Sequence, residues 1–275
     1  MHVGVAMFCT DYSIPATELA RALEDRGFES LWLPEHSHIP LSRASPFPQG
    51  GDLPKKYYDV MDPFVVLGAV AAVTTRLKIA TGICLVAQRD PIQTAKSVAS
   101  VDQISKGRFI FGVGAGWNAD EMANHGTDFK NRNKVMRERI EAMRAIWTKS
   151  KPEYSGEYVK FGPMMTWPKP VQKPHPKIYF GGFTTATVSR ARRHHAGWMP
   201  MGVPVADMVP EQLSPIDGAT DIPVSIIAPE KVELAVLDAY RQHGAERAFI
   251  LLSTKPESET LQLLDSIAAF TEIYG

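Results

Sequence analysis

Cysteine is nearly absent from this sequence, with only Cys9 and Cys84 in 275 residues. Two isolated thiols exclude a disulfide framework, and no ligand spacing suggests a zinc module. An excess of either charge is also missing. Lys plus Arg number 30, and Asp plus Glu number 30. That balance leaves no electrostatic footprint for a nucleic-acid partner, though it permits a local basic pocket for phosphates. No apolar run reaches the roughly 18 residues of a membrane helix, so no membrane contact is expected. The start, Met1 to Ser13, lacks a basic stretch followed by an apolar core. It reads as a first strand instead of an export signal, and a cytoplasmic location is the expectation.

What is present is a steady alternation of strand-like and helix-like runs. Val3–Phe8 is a short apolar run, followed by helical spacing over Ile14–Arg26 that Gly27 stops. Glu29–Pro34 is a second strand. Asp62–Thr74 is a helix with Asp62 as N-cap and Pro63 at its first position. Strands at Leu77–Leu85 and Arg108–Val113 alternate with helices at Pro91–Ile104 and Asn131–Lys149. A small hairpin and a proline-rich crossing follow over residues 152–171. Lys177–Gly181, Gly197–Met201, Pro223–Ile227 and Glu246–Leu252 read as strands. Helices are expected at Thr184–His195, Glu230–Gln242 and Glu257–Tyr274, while 208–222 is poorly patterned. Eight β-then-α units imply parallel strands with crossovers. In a chain of this length they predict a single (β/α)8 TIM barrel spanning 1–275, and an open doubly wound sheet is the rival. Insertions follow the second strand (36–61) and the fourth (116–131), on the face where such barrels keep their chemistry.

Several strand ends carry candidate chemistry. The second strand runs into Glu35-His36-Ser37-His38. A carboxylate beside two histidines suits proton transfer, and the competing reading is a loop whose imidazoles cap backbone groups. No third ligand motif accompanies them, so no metal is expected. Gly82 ends the third strand as a candidate bulge. Gly112-Val-Gly-Ala-Gly-Trp117 resembles a dinucleotide loop, but its third glycine comes one residue early for G-x-G-x-x-G. Gly181-Gly182-Phe-Thr184 precedes a helix and forms a candidate anion site. Arg190, Arg192, Arg193, His194 and His195 read more simply as a solvated face. Insertion residues 46–61, rich in aromatics and glycine, are a lid or a dimer contact. Trp117, Trp167 and Trp198 either line the pocket or pack.

Together these motifs resemble a known family. Asp62-Pro63-Phe64, Ala71-Ala72-Val73-Thr74-Thr75-Arg76, Gln88-Arg89-Asp90-Pro91, Ser105-Lys106-Gly107-Arg108, Gly112 to Trp117 and Trp167-Pro168-Lys169-Pro170 are similar to the luciferase-like monooxygenase superfamily. With Glu35 to Pro40 and Gly181-Gly182, the chain resembles its actinobacterial branch of F420-dependent oxidoreductases. The resemblance implies a deazaflavin cofactor, coenzyme F420, with FMN as the alternative, and a small-molecule substrate. It implies Glu35 against the cofactor ring, where the sugar-phosphate dehydrogenase branch has Asp. It implies His36 as the proton-transferring group, with His38, Trp117 and Trp198 toward substrate. It places a non-proline cis peptide at Gly82–Ile83, the cofactor phosphate at Gly181, Gly182 and Thr184, and tail contacts at Lys96 and Asp120. Trp117 stands where sugar-phosphate dehydrogenases keep a catalytic glutamate. That argues against sugar-phosphate oxidation and for a flatter, more apolar substrate. A reduced-flavin monooxygenase and a non-catalytic flavin-binding barrel are the competing functions. A homodimer is the family-level expectation.

Overall fold

A computed structural model describes residues 1–200 and 221–275. Strands β1 (His2–Ala6), β2 (Ser30–Leu33), β3 (Lys78–Leu85) and β4 (Phe109–Gly114) build the first half. A small antiparallel hairpin, β5 (Tyr154–Ser155) with β6 (Lys160–Phe161), follows. Strands β7 (Lys177–Gly181), β8 (Gly197–Met199), β9 (Ser225–Pro229) and β10 (Arg247–Leu251) build the second half. The eight long-range strands are all parallel, in the order β8-β7-β4-β3-β2-β1-β10-β9. A parallel bridge between Trp198 and Val224 brings the two edges together. The architecture is a TIM barrel, as the alternation predicts, and the open sheet is excluded by that closure.

The helices form where the sequence supplies starts and stops. Helix α1 (Ala16–Asp25) buries Leu19, Ala20 and Leu23 against the sheet. It ends where Gly27 takes a φ of +78° and Phe28 N–H reaches back to the Leu23 carbonyl. Asp62 caps α3 (Pro63–Val73) by accepting from the Phe64 and Val65 N–H groups. Asp90, also followed by proline, caps α4 (Pro91–Ile104) through Gln93 N–H. Helix α6 (Arg132–Thr148) is the long amphipathic one, and α7 (Thr185–Arg193) follows β7.

Some expectations need correction. Both insertions contain short helices, α2 (Lys56–Asp59) and α5 (Ala119–Asn124), that periodicity cannot reveal in so few residues. Helix α8 (Leu234–Gln242) begins four residues later than expected, and Glu230 instead turns its carboxylate to Ser253 N–H. The C-terminal helix is two, α9 (Glu257–Ile267) and α10 (Ala269–Tyr274). The second of these places the Thr271 hydroxyl on the Arg26 carbonyl at 2.9 Å. The poorly patterned stretch 208–222 falls outside the described residues up to 220. Among the described residues, no helix is long and apolar enough to cross a membrane.

Inside the barrel, Trp32, Tyr179 and Phe249 are fully buried and fill the lower layers. Trp32 stacks on Phe249 at 4.6 Å and meets Tyr179 edge-on at 6.2 Å. Above them the strand ends carry Ala6, Gly82, Gly114 and Gly181. All four line a cavity at the mouth of the barrel.

Candidate functional site

A cavity of about 510 Å³ opens at the C-terminal ends of the strands. Its walls differ in character. One end is apolar and aromatic, with Phe8, Phe47, Tyr57, Trp117, Ile227 and Leu251. Phe47 and Tyr57 come from the first insertion and pack together at 5.2 Å; Phe47 also meets Trp117 at 6.2 Å. This insertion therefore roofs the cavity. The other end carries Arg132, Asn133, Thr184 and Arg190.

His36 lines the cavity beside these aromatic rings, its side chain 6% exposed. Its Nδ1 is 2.7 Å from Oε2 of Glu121, whose side chain is fully buried. Oε1 of the same carboxylate accepts from Ser37 N–H at 3.0 Å. Asn118 starts α5 by accepting from Glu121 N–H, which sets Glu121 in the first helical turn. A carboxylate there is favoured by the helix dipole. Burial works against its charge, but His36 and the Ser37 N–H outweigh burial and hold its pKa below the ordinary carboxylate value. A carboxylate on Nδ1 assigns the proton to that nitrogen and leaves Nε2 as the basic one. The Tyr57 and Trp117 rings lie 5.5 and 5.6 Å from the imidazole.

Glu35 also lines the wall, but its oxygens are engaged. One accepts from Leu85 N–H at 2.7 Å and the other pairs with Arg89, which also pairs with Asp62. Beside it the Gly82–Ile83 peptide is cis, and the register of β3 against β4 shifts between Thr81 and Cys84. The glycines of β4 follow from that shift. A Cβ on Gly112 would lie 2.1 Å from the Thr81 carbonyl oxygen, and one on Gly114 would meet Ile83 Cδ1 at 1.9 Å. Close approach of β3, not dinucleotide binding, accounts for this glycine pattern. Gly112→Ala is expected to destabilise the fold by about 1–3 kcal/mol, since backbone cannot yield as a side chain can. A denaturant midpoint equal to wild type would count against it.

Gly182 holds a φ of +134°, and a Cβ there would meet Thr187 Oγ1 at 2.9 Å. Its N–H is bound to the Met199 carbonyl, and its carbonyl accepts from Trp198 Nε1 at 2.6 Å. Thr184 is the N-cap of α7 and accepts from Thr187 N–H. The first amides of α7 follow at the cavity wall, where Ala186 and Thr187 also lie.

Of the residues singled out from sequence, Glu35, His36, Gly82, Ile83, Trp117, Gly181, Gly182 and Thr184 line one cavity. Four others lie apart from its lining. Trp198 is buried behind the Gly182 loop that it supports. His38 bonds Ser37 Oγ at 2.9 Å and Asn124 Nδ2 at 2.8 Å. Asp120 accepts from Ser45 N–H at 3.1 Å and so ties the two insertions together. Lys96 donates to the Trp167 carbonyl. The reading of Arg190 and His194 as parts of a solvated face is corrected, because Arg190 lines the cavity and His194 is buried against Phe180. Arg192 does face outward, in an ion pair with Asp221. Sequence reasoning missed Glu121, Arg132 and Asn133. Asn118 with Glu three residues on is a helix-start pattern, which could have located α5 but not its partner. No cluster of metal-ligating side chains occurs among the described residues.

Known proteins are similar to this chain in sequence and in fold. The family model for luciferase-like monooxygenases matches residues 14–211. An uncharacterised protein of Mycobacterium tuberculosis is 43% identical over 202 residues, covering 72% of each chain. A monooxygenase from Streptomyces bottropensis superimposes with a TM-score of 0.81 at 20% identity, over 100% of both chains. A coenzyme F420-dependent tetrahydromethanopterin reductase from Methanopyrus kandleri superimposes with a TM-score of 0.71 at 17% identity, covering 96% of this chain and 97% of its own. With the barrel, the strand-end cavity and a family match across most of its length, this chain belongs to the luciferase-like monooxygenase family.

Proposed function

We propose that this protein is a deazaflavin-dependent oxidoreductase in which His36, held by Glu121, moves the substrate proton. The observation that carries the reading is the 2.7 Å contact between His36 Nδ1 and a fully buried carboxylate. That contact orients the ring and stabilises it when it gains a proton, while Nε2 stays free to exchange one. A flavin-type group fits the residues present. Gly82, Gly114 and Gly182 bring bare backbone to the cavity wall, and Thr184 with the first amides of α7 suits a phosphate. When bound, such a cofactor supplies hydride exchange at its ring. Phe47, Tyr57 and Trp117 then exclude water and favour a flat, uncharged substrate over a sugar phosphate.

A second reading, a monooxygenase using reduced FMN from a separate reductase, draws support from the full-length fold match to the Streptomyces enzyme. Fluorescence titration of the purified protein with coenzyme F420 and with FMN, each oxidised and reduced, separates the two. Tight binding of F420 is the expected result. Tight binding of reduced FMN, with none of F420, reverses the ranking.

A further inference from the structure

The cationic end of the cavity holds more positive charge than one phosphate neutralises. Arg132 donates to the Phe129 carbonyl at 2.7 Å and lies over that ring at 3.7 Å. Arg190 donates to Asn133 Oδ1 at 3.1 Å. Neither is ion-paired with a carboxylate among the described residues, whereas Arg26, Arg89, Arg192 and Arg247 all are. Both line the cavity beside Thr184, Ala186 and Thr187.

Two helix starts add to this charge. Helix α6 begins at Arg132 and α7 at Thr185, and neither has an acidic residue in its first turn. A helix N-terminus carries about half a positive charge, which acidic side chains usually offset and which Arg132 aggravates. Burial, and then the charges of Arg193 and Arg132, lower the proton affinity of Arg190. The cluster is thus self-repelling. Two guanidiniums and two helix ends exceed the roughly −2 charge of one phosphoryl group.

We propose that Arg132 and Arg190 form a second anion subsite, which takes a further phosphoryl or carboxylate group beyond the phosphate at Thr184. The ligand class is a polyanionic cofactor tail, and the inference rests on the cavity being the cofactor site. A carboxylate or phosphoryl oxygen pair matches the planar fork of each guanidinium.

The test measures thermal stabilisation by inorganic phosphate and by inorganic tripolyphosphate at constant ionic strength. Wild type, R132Q, R190Q and the charge-retaining R190K are compared. Wild type is expected to bind tripolyphosphate at least tenfold more tightly than phosphate. R132Q and R190Q should each weaken tripolyphosphate about tenfold and phosphate less than twofold, with R190K between. Ligand-free variants should melt no lower than wild type, because a repulsion is relieved. Equal affinity for the two anions, or variants that bind tripolyphosphate like wild type, would overturn the second subsite. Parallel titrations use riboflavin, FMN and coenzyme F420, whose tail carries carboxylates beyond its phosphate. If none of the three binds, the cofactor reading fails while the polyphosphate result still decides the subsite. If R190Q weakens F420 tenfold but leaves riboflavin unchanged, both stand.

Discussion

Replacing His36 with alanine is expected to lower turnover by about 10²- to 10⁴-fold, the usual worth of a positioned general acid or base. Affinity for the proposed cofactor should stay within about twofold, because the glycine-lined wall and the start of α7 are untouched. Glu121→Gln should retain the shape of the site and lose only part of that factor. The amide keeps a bond to His36 Nδ1 but cannot stabilise the imidazolium as a carboxylate does. The split matters because a merely structural histidine predicts something different. Loss of packing would lower the melting temperature and affinity together, leaving the rate of the bound complex intact. His38→Ala provides the contrast. His38 bonds Ser37 Oγ and Asn124 outside the cavity lining, so its variant should turn over close to wild type. Single-turnover rates with F420 and a reducible carbonyl or oxidisable alcohol would decide. Wild-type rates in His36→Ala would end the assignment.

The second large effect lies at the opposite end of the barrel. Arg247 is 1% exposed and grips Glu29 through two bonds of 2.6 and 2.5 Å, with a third to Ser225 Oγ at 2.9 Å. Lys78 adds a fourth contact, to Glu29 at 2.9 Å. Arg247→Ala is expected to cost about 3–5 kcal/mol, because it strands a largely buried carboxylate. Burial alone would raise the Glu29 pKa, yet Arg247 and Lys78 overcome it and bring it from 4.5 to about 2. The folded value lies below the unfolded one. The stability this contributes is therefore present above about pH 4.5 and lost as pH falls toward 2. Its size is on the order of 3 kcal/mol. In Arg247→Ala the acid-side loss should shrink, since the stranded Glu29 then gains by protonation. Glu29→Gln in the same background should recover part of the deficit. Urea midpoints measured from pH 3 to 7 would show this, and parallel acid profiles for wild type and Arg247→Ala would refute it.

Much of the barrel could be read from local signals. Asp-Pro starts at 62 and 90, the Gly27 stop and the continuous apolar strands act over a few residues. They therefore leave their mark in neighbouring letters.

Other features depend on residues far apart in sequence. His36 and His38 look alike in Glu-His-Ser-His, and only the fold gives one of them a buried carboxylate, 85 residues away. The spacing of Gly112, Gly114 and Gly116 already fails the dinucleotide pattern, but only the fold shows what Gly112 is for, with the Thr81 carbonyl against it. Arg190 looked like one more surface charge beside Arg192, until Arg132 and the start of α6 met it in the same cavity. The order of the elements was legible in the residues themselves, because caps, stops and periodicity are local, and so were strand ends that line the cavity. Which carboxylate holds the imidazole, and which arginines have no carboxylate partner among the described residues, follow from the tertiary structure alone. Those pairings are created when the sheet closes and distant loops converge on one rim.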